Sequence, residues 1–199
     1  MNTKISDTPT HDHRTPTVLS RVLARWPSVV GLAALVATSA DGVDAHITAT
    51  VIMGAALCYL AAAAVGWRPA GWIAIPVVFG LLLAAMAIPA VDAIVMLLVL
   101  AVLLVVVGLI RLPRSGWREL GLQAAGFAGF TALGLTAMMV TPVLAAHLAA
   151  LAAIGHGVWD LVHHRRDKVV NRSLTETCMV LDFGLGAVTL IITWITLAG

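Results

Sequence analysis

Ser39-Ala40-Asp41-Gly42-Val43-Asp44-Ala45-His46 is the stretch on which the fold turns. It sets two carboxylates and a glycine into an otherwise apolar sequence running from Trp26 to Gly66. Taken as a break, it separates two membrane-crossing segments. Taken as part of one long helix over 26–66, it moves every later connection to the other side of the membrane. The cations decide between the two. All 12 Lys and Arg residues lie outside the long apolar runs. With the break in place they occupy alternate gaps. Lys4, Arg14, Arg21 and Arg25 precede the first run and Arg68 follows the second. Arg111, Arg114 and Arg118 follow the fourth, and Arg165, Arg166, Lys168 and Arg172 follow the sixth. That is the positive-inside pattern of a polytopic membrane protein. Without the break the same clusters would fall on both faces.

Composition points the same way. Of 199 residues, 60% are hydrophobic and 11% charged, which is outside the range of water-soluble domains and requires lipid to cover much of the surface. The net charge of +2 is small, and its uneven placement is the informative part. It reads as attraction to anionic headgroups of the cytoplasmic leaflet and not to nucleic acid. Cys58 and Cys178 lie in or beside apolar segments and form no disulfide framework.

The expected architecture is all-α: a bundle of seven transmembrane helices, N-terminus cytoplasmic and C-terminus outside. Residues 1–25 form a flexible cytoplasmic tail, polar and without apolar period, and 26–199 form the transmembrane domain. No cleavable leader is visible. The expected spans are Trp26–Asp41, Ala45–Gly66, Ala70–Ile88, Val91–Ile110, Trp117–Val140, Pro142–His164 and Thr175–Ala198. Helices are expected because each satisfies its own backbone hydrogen bonds in lipid. About 20 residues at a rise of about 1.5 Å cross a core of about 30 Å. Pro69, Pro89, Pro113 and Pro142 fall at the turns, and Pro76 lies inside the third span. Trp26, Trp67, Trp72 and Trp117 flank the basic gaps as interfacial indoles do, and Trp194 marks the opposite face. Gly121, Ala125 and Gly129 repeat at four-residue spacing. Such a ridge lets a helix approach closely, either within the bundle, the expectation here, or in a second copy or another membrane protein.

One constellation of polar residues leads toward chemistry. Gly155-His156-Gly157-Val158-Trp159-Asp160-Leu161-Val162-His163-His164-Arg165-Arg166 closes the sixth span. On a helix, His156, Asp160, His163 and His164 fall within an arc of roughly 100°. The seventh span returns antiparallel with Thr175, Glu176, Cys178 and Asp182, of which Thr175, Cys178 and Asp182 share a face. If His164 and Thr175 mark the same boundary, His156 and Asp182 meet at a depth of roughly 10–12 Å.

Ionisable groups at such depth are costly and usually pair in the bundle interior. Three chemistries use these residue types. Imidazoles with carboxylates suit a divalent metal, Zn²⁺ first, held by His156, Asp160, His163 and Asp182 with Cys178 and His164 accessory. A metal-assisted enzyme acting on a lipid or apolar substrate follows from that reading. A His–Asp chain suits a proton- or ion-coupled carrier or sensor. A cationic cluster at headgroup level suits capture of a lipid phosphate. Against these stands a structural reading, with snorkelling residues ending the helix and a single buried His156–Asp182 pair, and a non-catalytic scaffold also stays open. Asp41, Asp44, His46 and Asp92 read as a solvated outer rim, and His11-Asp12-His13 as part of the solvated tail. Gln123 reads as an interhelical hydrogen bond. No P-loop, dinucleotide fingerprint or Gly-x-Ser-x-Gly elbow is present.

The stretch from Gly155 to Arg165, followed by Lys168-Val169-Val170 and Arg172-Ser173-Leu174-Thr175-Glu176-Thr177-Cys178-Met179-Val180-Leu181-Asp182, resembles a family of small multi-pass membrane proteins from high-GC Gram-positive bacteria. Ala40-Asp41-Gly42 fits the same likeness. The resemblance implies a multi-pass protein of the plasma membrane and brings no activity with it. Seven-helix zinc hydrolases of the ceramidase and adiponectin-receptor type share the helix count. They carry a His-x-x-x-His pair on the last helix, where this chain has no His. Helix count alone carries no function.

Overall fold

The computed structural model describes residues 17, 20, 23–40, 42 and 44–199. Among these there are seven helices and no strand. They are α1 (Trp26–Ser39), α2 (Ala45–Val65), α3 (Ala70–Ala87), α4 (Ala93–Arg111), α5 (Trp117–Ala137), α6 (Pro142–Arg166) and α7 (Arg172–Ala198). A single 3-10 turn, Arg114–Gly116, leads into α5.

The decisive break is where the carboxylates and glycine place it. Gly42 takes a positive φ of 97°, a conformation that a side chain disfavours, and its N–H bonds back to Ser39 O at 3.1 Å. The Asp44 side chain then accepts from His46 N at 2.7 Å and starts α2. Asp92 does the same for α4, accepting from Val95 N at 2.9 Å. Two acids of the expected outer rim therefore serve as helix caps, and Asp41 lies outside the described residues. So do most of the tail and His11-Asp12-His13.

Helix α2 occupies the centre, burying a run of alanines together with Ile52, Met53, Leu57, Tyr59 and Leu60. The most apolar window of α2 is 78% buried, whereas that of α4 is 17% buried. In lipid, hydrophobicity gives no preference for the inside, since acyl chains are as apolar as Leu. Close packing does, and Ala55, Ala56 and Ala61 to Ala64 let α3, α4, α5 and α6 approach α2 closely. The Val- and Leu-rich α4 turns outward. Helices α6 and α7 pair antiparallel along most of their length, and α1 lies against α7. Ser28 Oγ donates to Glu176 Oε1 at 2.5 Å and Thr177 Oγ1 donates to Pro27 O at 2.9 Å, fastening the start of α1 to α7.

One expectation is met in part and another needs correction. Six helices are long and apolar enough to cross a membrane; α1, with 14 residues, is not. Its length of about 21 Å at the α-helical rise falls short of a core of about 30 Å. The Gly121-Ala125-Gly129 ridge is not packed inside the bundle. All three residues are exposed, and a Cβ at Gly121 or Gly129 would meet nothing within 4 Å. Helix α5 instead buries Leu120, Gln123, Phe127, Thr131 and Gly134.

The cations gather at one end. Arg25 Nη1 lies 3.5 Å from Glu176 Oε1, and Arg172 Nε lies 3.4 Å from Asp167 Oδ1. Arg68 also pairs with Asp167, whose exposed carboxyl that hydrogen bond holds below the usual carboxylate range. His46 and Asp92 border a cavity of about 470 Å³ at the other end. The α6–α7 connection is strained: Asp167 and Val169 take φ of 49° and 70°. For a β-branched Val this conformation costs on the order of 1–3 kcal/mol. Arg68 holds the loop in place, donating to Val170 O from Nε at 3.2 Å and from Nη2 at 3.0 Å.

The closeness of α6 and α7 rests on Gly186. A Cβ there would lie 2.7 Å from Ile154 Cγ1 and 3.2 Å from Ala150 O. Gly186→Ala is expected to destabilise by about 1–3 kcal/mol through overpacking. Gly129→Ala, in open space, leaves stability equal or higher. Thermal unfolding in detergent checks both, and equal midpoints for the two variants would contradict this packing.

Candidate metal centre

Helix periodicity places His156 and Asp160 one turn apart on the face that α6 turns inward. Antiparallel pairing brings Asp182 of α7 to the same level. All three are 0% exposed. His156 Nδ1 lies 2.7 Å from Asp182 Oδ2 and 3.5 Å from Asp160 Oδ2. With acceptors on both sides, Nδ1 carries the proton and donates. The other oxygen of Asp160, Oδ1, accepts from Tyr59 Oη at 2.5 Å, which ties the pair to central helix α2.

Tyr59 is the partner that sequence reasoning missed. It is the only tyrosine in the chain and sits 1% exposed amid alanines. A buried phenol needs a partner for its O–H. That was the available signal, but nothing local says which helix supplies the acceptor. The Tyr59 ring also stands edge-on to His156 and His163, with centroids 5.7 and 5.0 Å away. Phe130 of α5 covers His156 at 4.9 Å.

Three atoms of this cluster are buried without a hydrogen-bond partner among the described residues: His156 Nε2, Asp160 Oδ2 and Asp182 Oδ1. Unpartnered buried acceptors cost about 1–3 kcal/mol each, and more when charged. One ligand atom from each of His156, Asp160 and Asp182 falls within 4.8 Å of the other two. Ligands at about 2.0–2.2 Å around a tetrahedral Zn²⁺ lie roughly 3.3 Å apart, so coordination through Nδ1 would require it to give up its proton and its 2.7 Å contact to Asp182 to open. One imidazole and two carboxylates form a borderline-hard donor set that suits Zn²⁺, Fe²⁺ or Mn²⁺.

The other expected site residues go elsewhere. His163 is buried, but both ring nitrogens are taken. Nδ1 donates to Trp159 O at 2.9 Å, and Nε2 accepts from Gln123 Nε2 at 3.0 Å. That second contact is the interhelical bond expected of Gln123, whose Nε2 also donates to Glu119 Oε1 at 2.9 Å. His164 Nδ1 donates to Thr175 Oγ1 at 2.8 Å, joining the end of α6 to the start of α7. Cys178, with Cys58, lines an apolar cavity of about 260 Å³ between α1, α2, α3 and α7. So His156, Asp160 and Asp182 come together, while His163, His164 and Cys178 stand outside the group.

Tyr59→Phe removes the one side-chain hydrogen bond to Asp160 Oδ1 found among the described residues. A destabilisation of about 1–3 kcal/mol is expected, read as a lower unfolding midpoint in detergent. An unchanged midpoint would show that Asp160 does not depend on the phenol. Comparison with protein-family models, with curated proteins and with solved structures finds no match, so what this centre does must be argued from its own atoms.

Proposed function

We propose that this chain is a multi-pass protein of the plasma membrane whose buried His156, Asp160 and Asp182 bind a divalent cation, Zn²⁺ first, for metal-assisted chemistry on a lipid or apolar substrate. The observation that carries this reading is the trio of partnerless atoms on three clustered side chains. Charge supports it. Two ionised carboxylates contribute −2 and a neutral imidazole nothing, so one divalent ion brings the buried group to zero in a low-dielectric interior. Tyr59 would orient Asp160 as an outer-shell partner. The bound ion would supply Lewis acidity and a water acidified for attack. The apolar cavity lined by Cys58 and Cys178 borders Thr177 and Leu181 on α7, which favours an apolar substrate.

Orientation is part of the proposal. Collection of the Lys and Arg residues at one end supports a cytoplasmic N-terminus with the C-terminus outside, and Trp26 and Trp72, tilted against each other with centroids 5.4 Å apart, support an interface at that level. The likeness to small membrane proteins of high-GC Gram-positive bacteria belongs to the same proposal.

A second reading has its own observation. Glu119, Gln123 and His163 form a hydrogen-bonded line leading inward from a basic cavity toward Tyr59 and Asp160. That suits a proton- or ion-coupled carrier using the same cluster.

Elemental analysis of detergent-purified protein separates the readings. Wild type is expected to hold about one Zn, Fe or Mn per chain at a three-ligand site, and folded His156→Ala to hold essentially none. A folded, metal-free wild type would contradict the metal reading. In proteoliposomes, the carrier reading predicts ion flux that Asp182→Asn abolishes; equal flux in that variant would remove Asp182 from any path.

A further inference from the structure

A cavity of about 480 Å³ opens between the start of α5, the end of α6 and the α6–α7 connection, lined by Arg118, Glu119, Leu122, His163, Arg166 and Lys168. It is separate from the buried His156–Asp160–Asp182 cluster. We propose that it is an anion site that takes a phosphate-monoester group, held by Arg118, Arg166 and Lys168.

Of the six Lys and Arg residues at this end without an ion pair among the described residues, three line this one cavity. Arg25 is paired with Glu176, and Arg68 and Arg172 with Asp167. Among the described residues, no ion pair neutralises Arg118, Arg166 or Lys168. The one carboxylate in the lining, Glu119, accepts a hydrogen bond from Gln123 and offsets at most one of the three cations. Three converging donors around one concavity match the charge of a phosphate monoester, and guanidinium forks match its oxygens. The volume lies in the range of small-ligand pockets.

Position supports the same assignment. Lys168 sits between Asp167 and Val169, both in the left-handed region. The backbone is held there by the Arg68 contacts to Asp167 and Val170. A lysine serving only to mark the cytoplasmic side needs no such clamp. His163 closes the inner wall, its ring fixed by Trp159 O and Gln123. Leu122, 41% exposed, makes the wall on the side away from the bundle axis, where an acyl-bearing ligand would enter. The phosphate can belong to a lipid headgroup or to a soluble monoester, and the chemistry is shared.

The test uses the full chain. Detergent-purified protein is titrated calorimetrically with inorganic phosphate and with glycerol 3-phosphate. In parallel, protein in phosphatidylcholine nanodiscs with or without phosphatidic acid is examined by native mass spectrometry for retained lipid. Saturable binding in the first arm assigns a soluble monoester, and selective retention of phosphatidic acid assigns a lipid. In whichever arm binds, Arg166→Gln and Lys168→Gln should each weaken binding roughly tenfold, the size of a lost charge-assisted hydrogen bond. Arg165→Gln, a neighbouring exposed charge outside the lining, should leave it unchanged. Asp182→Asn, which disables the buried cluster, should also leave it unchanged, so failure of the metal reading is distinguishable from failure of this one. Absence of binding in both arms, or equal losses in Arg165→Gln and Arg166→Gln, would overturn the assignment.

Discussion

An imidazole held between two carboxylates, out of reach of water, is the constraint on which the rest of this structure depends. Asp182 on α7 and Asp160 on α6 lie fully buried with His156 Nδ1 2.7 and 3.5 Å from them. That demand sets the register of the two helices: a shift of one residue would turn Asp182 away by about 100°. It also explains why Gly186 stands one turn beyond Asp182, where a Cβ would press on Ile154 and on the backbone of Ala150. The demand reaches the central helix as well, since the phenol of Tyr59 satisfies one oxygen of Asp160. Each of the same three side chains keeps one buried atom without a partner among the described residues. His156 and Asp182 already pair with each other, and Asp160 brings a second carboxylate that also takes the Tyr59 phenol.

Around this polar centre the bundle follows the rules of a lipid solvent. The alanine-rich α2 is inside, while α4, apart from Leu97, Ala101 and Gly108, leaves most of its valines and leucines at the surface. The short α1 does not obey the length rule for a span. It is held by side-chain bonds from Ser28 and from Thr177 to the neighbouring element, so its place depends on α7 and not on its own apolar length.

Much of this was legible in advance, and the limits have physical causes. Segment ends came from Asp44, Gly42 and the prolines, which act locally through caps and turns. The meeting of His156 and Asp182 followed from rise per residue and antiparallel pairing alone. The membership of His163 and His164 did not, because an arc of roughly 100° is wider than one contact. Gln123 from α5 took His163, and Thr175 from α7 took His164. Tyr59 was invisible for the same reason: partner choice between non-adjacent helices is a tertiary property. The Gly121-Ala125-Gly129 ridge was misplaced because small residues permit close approach without requiring it. The opposite face of α5, carrying Gln123 and Phe127, had stronger reasons to be buried.

X-ray absorption at the metal edge of the purified protein tests the central claim most directly. A His156–Asp160–Asp182 centre predicts a bound divalent ion with a nitrogen and oxygen shell at about 2.0–2.2 Å and the outer scattering of a single imidazole. A sulfur shell at about 2.3 Å would assign the ion to Cys58 or Cys178 instead, and no edge at all would leave the buried cluster without a metal.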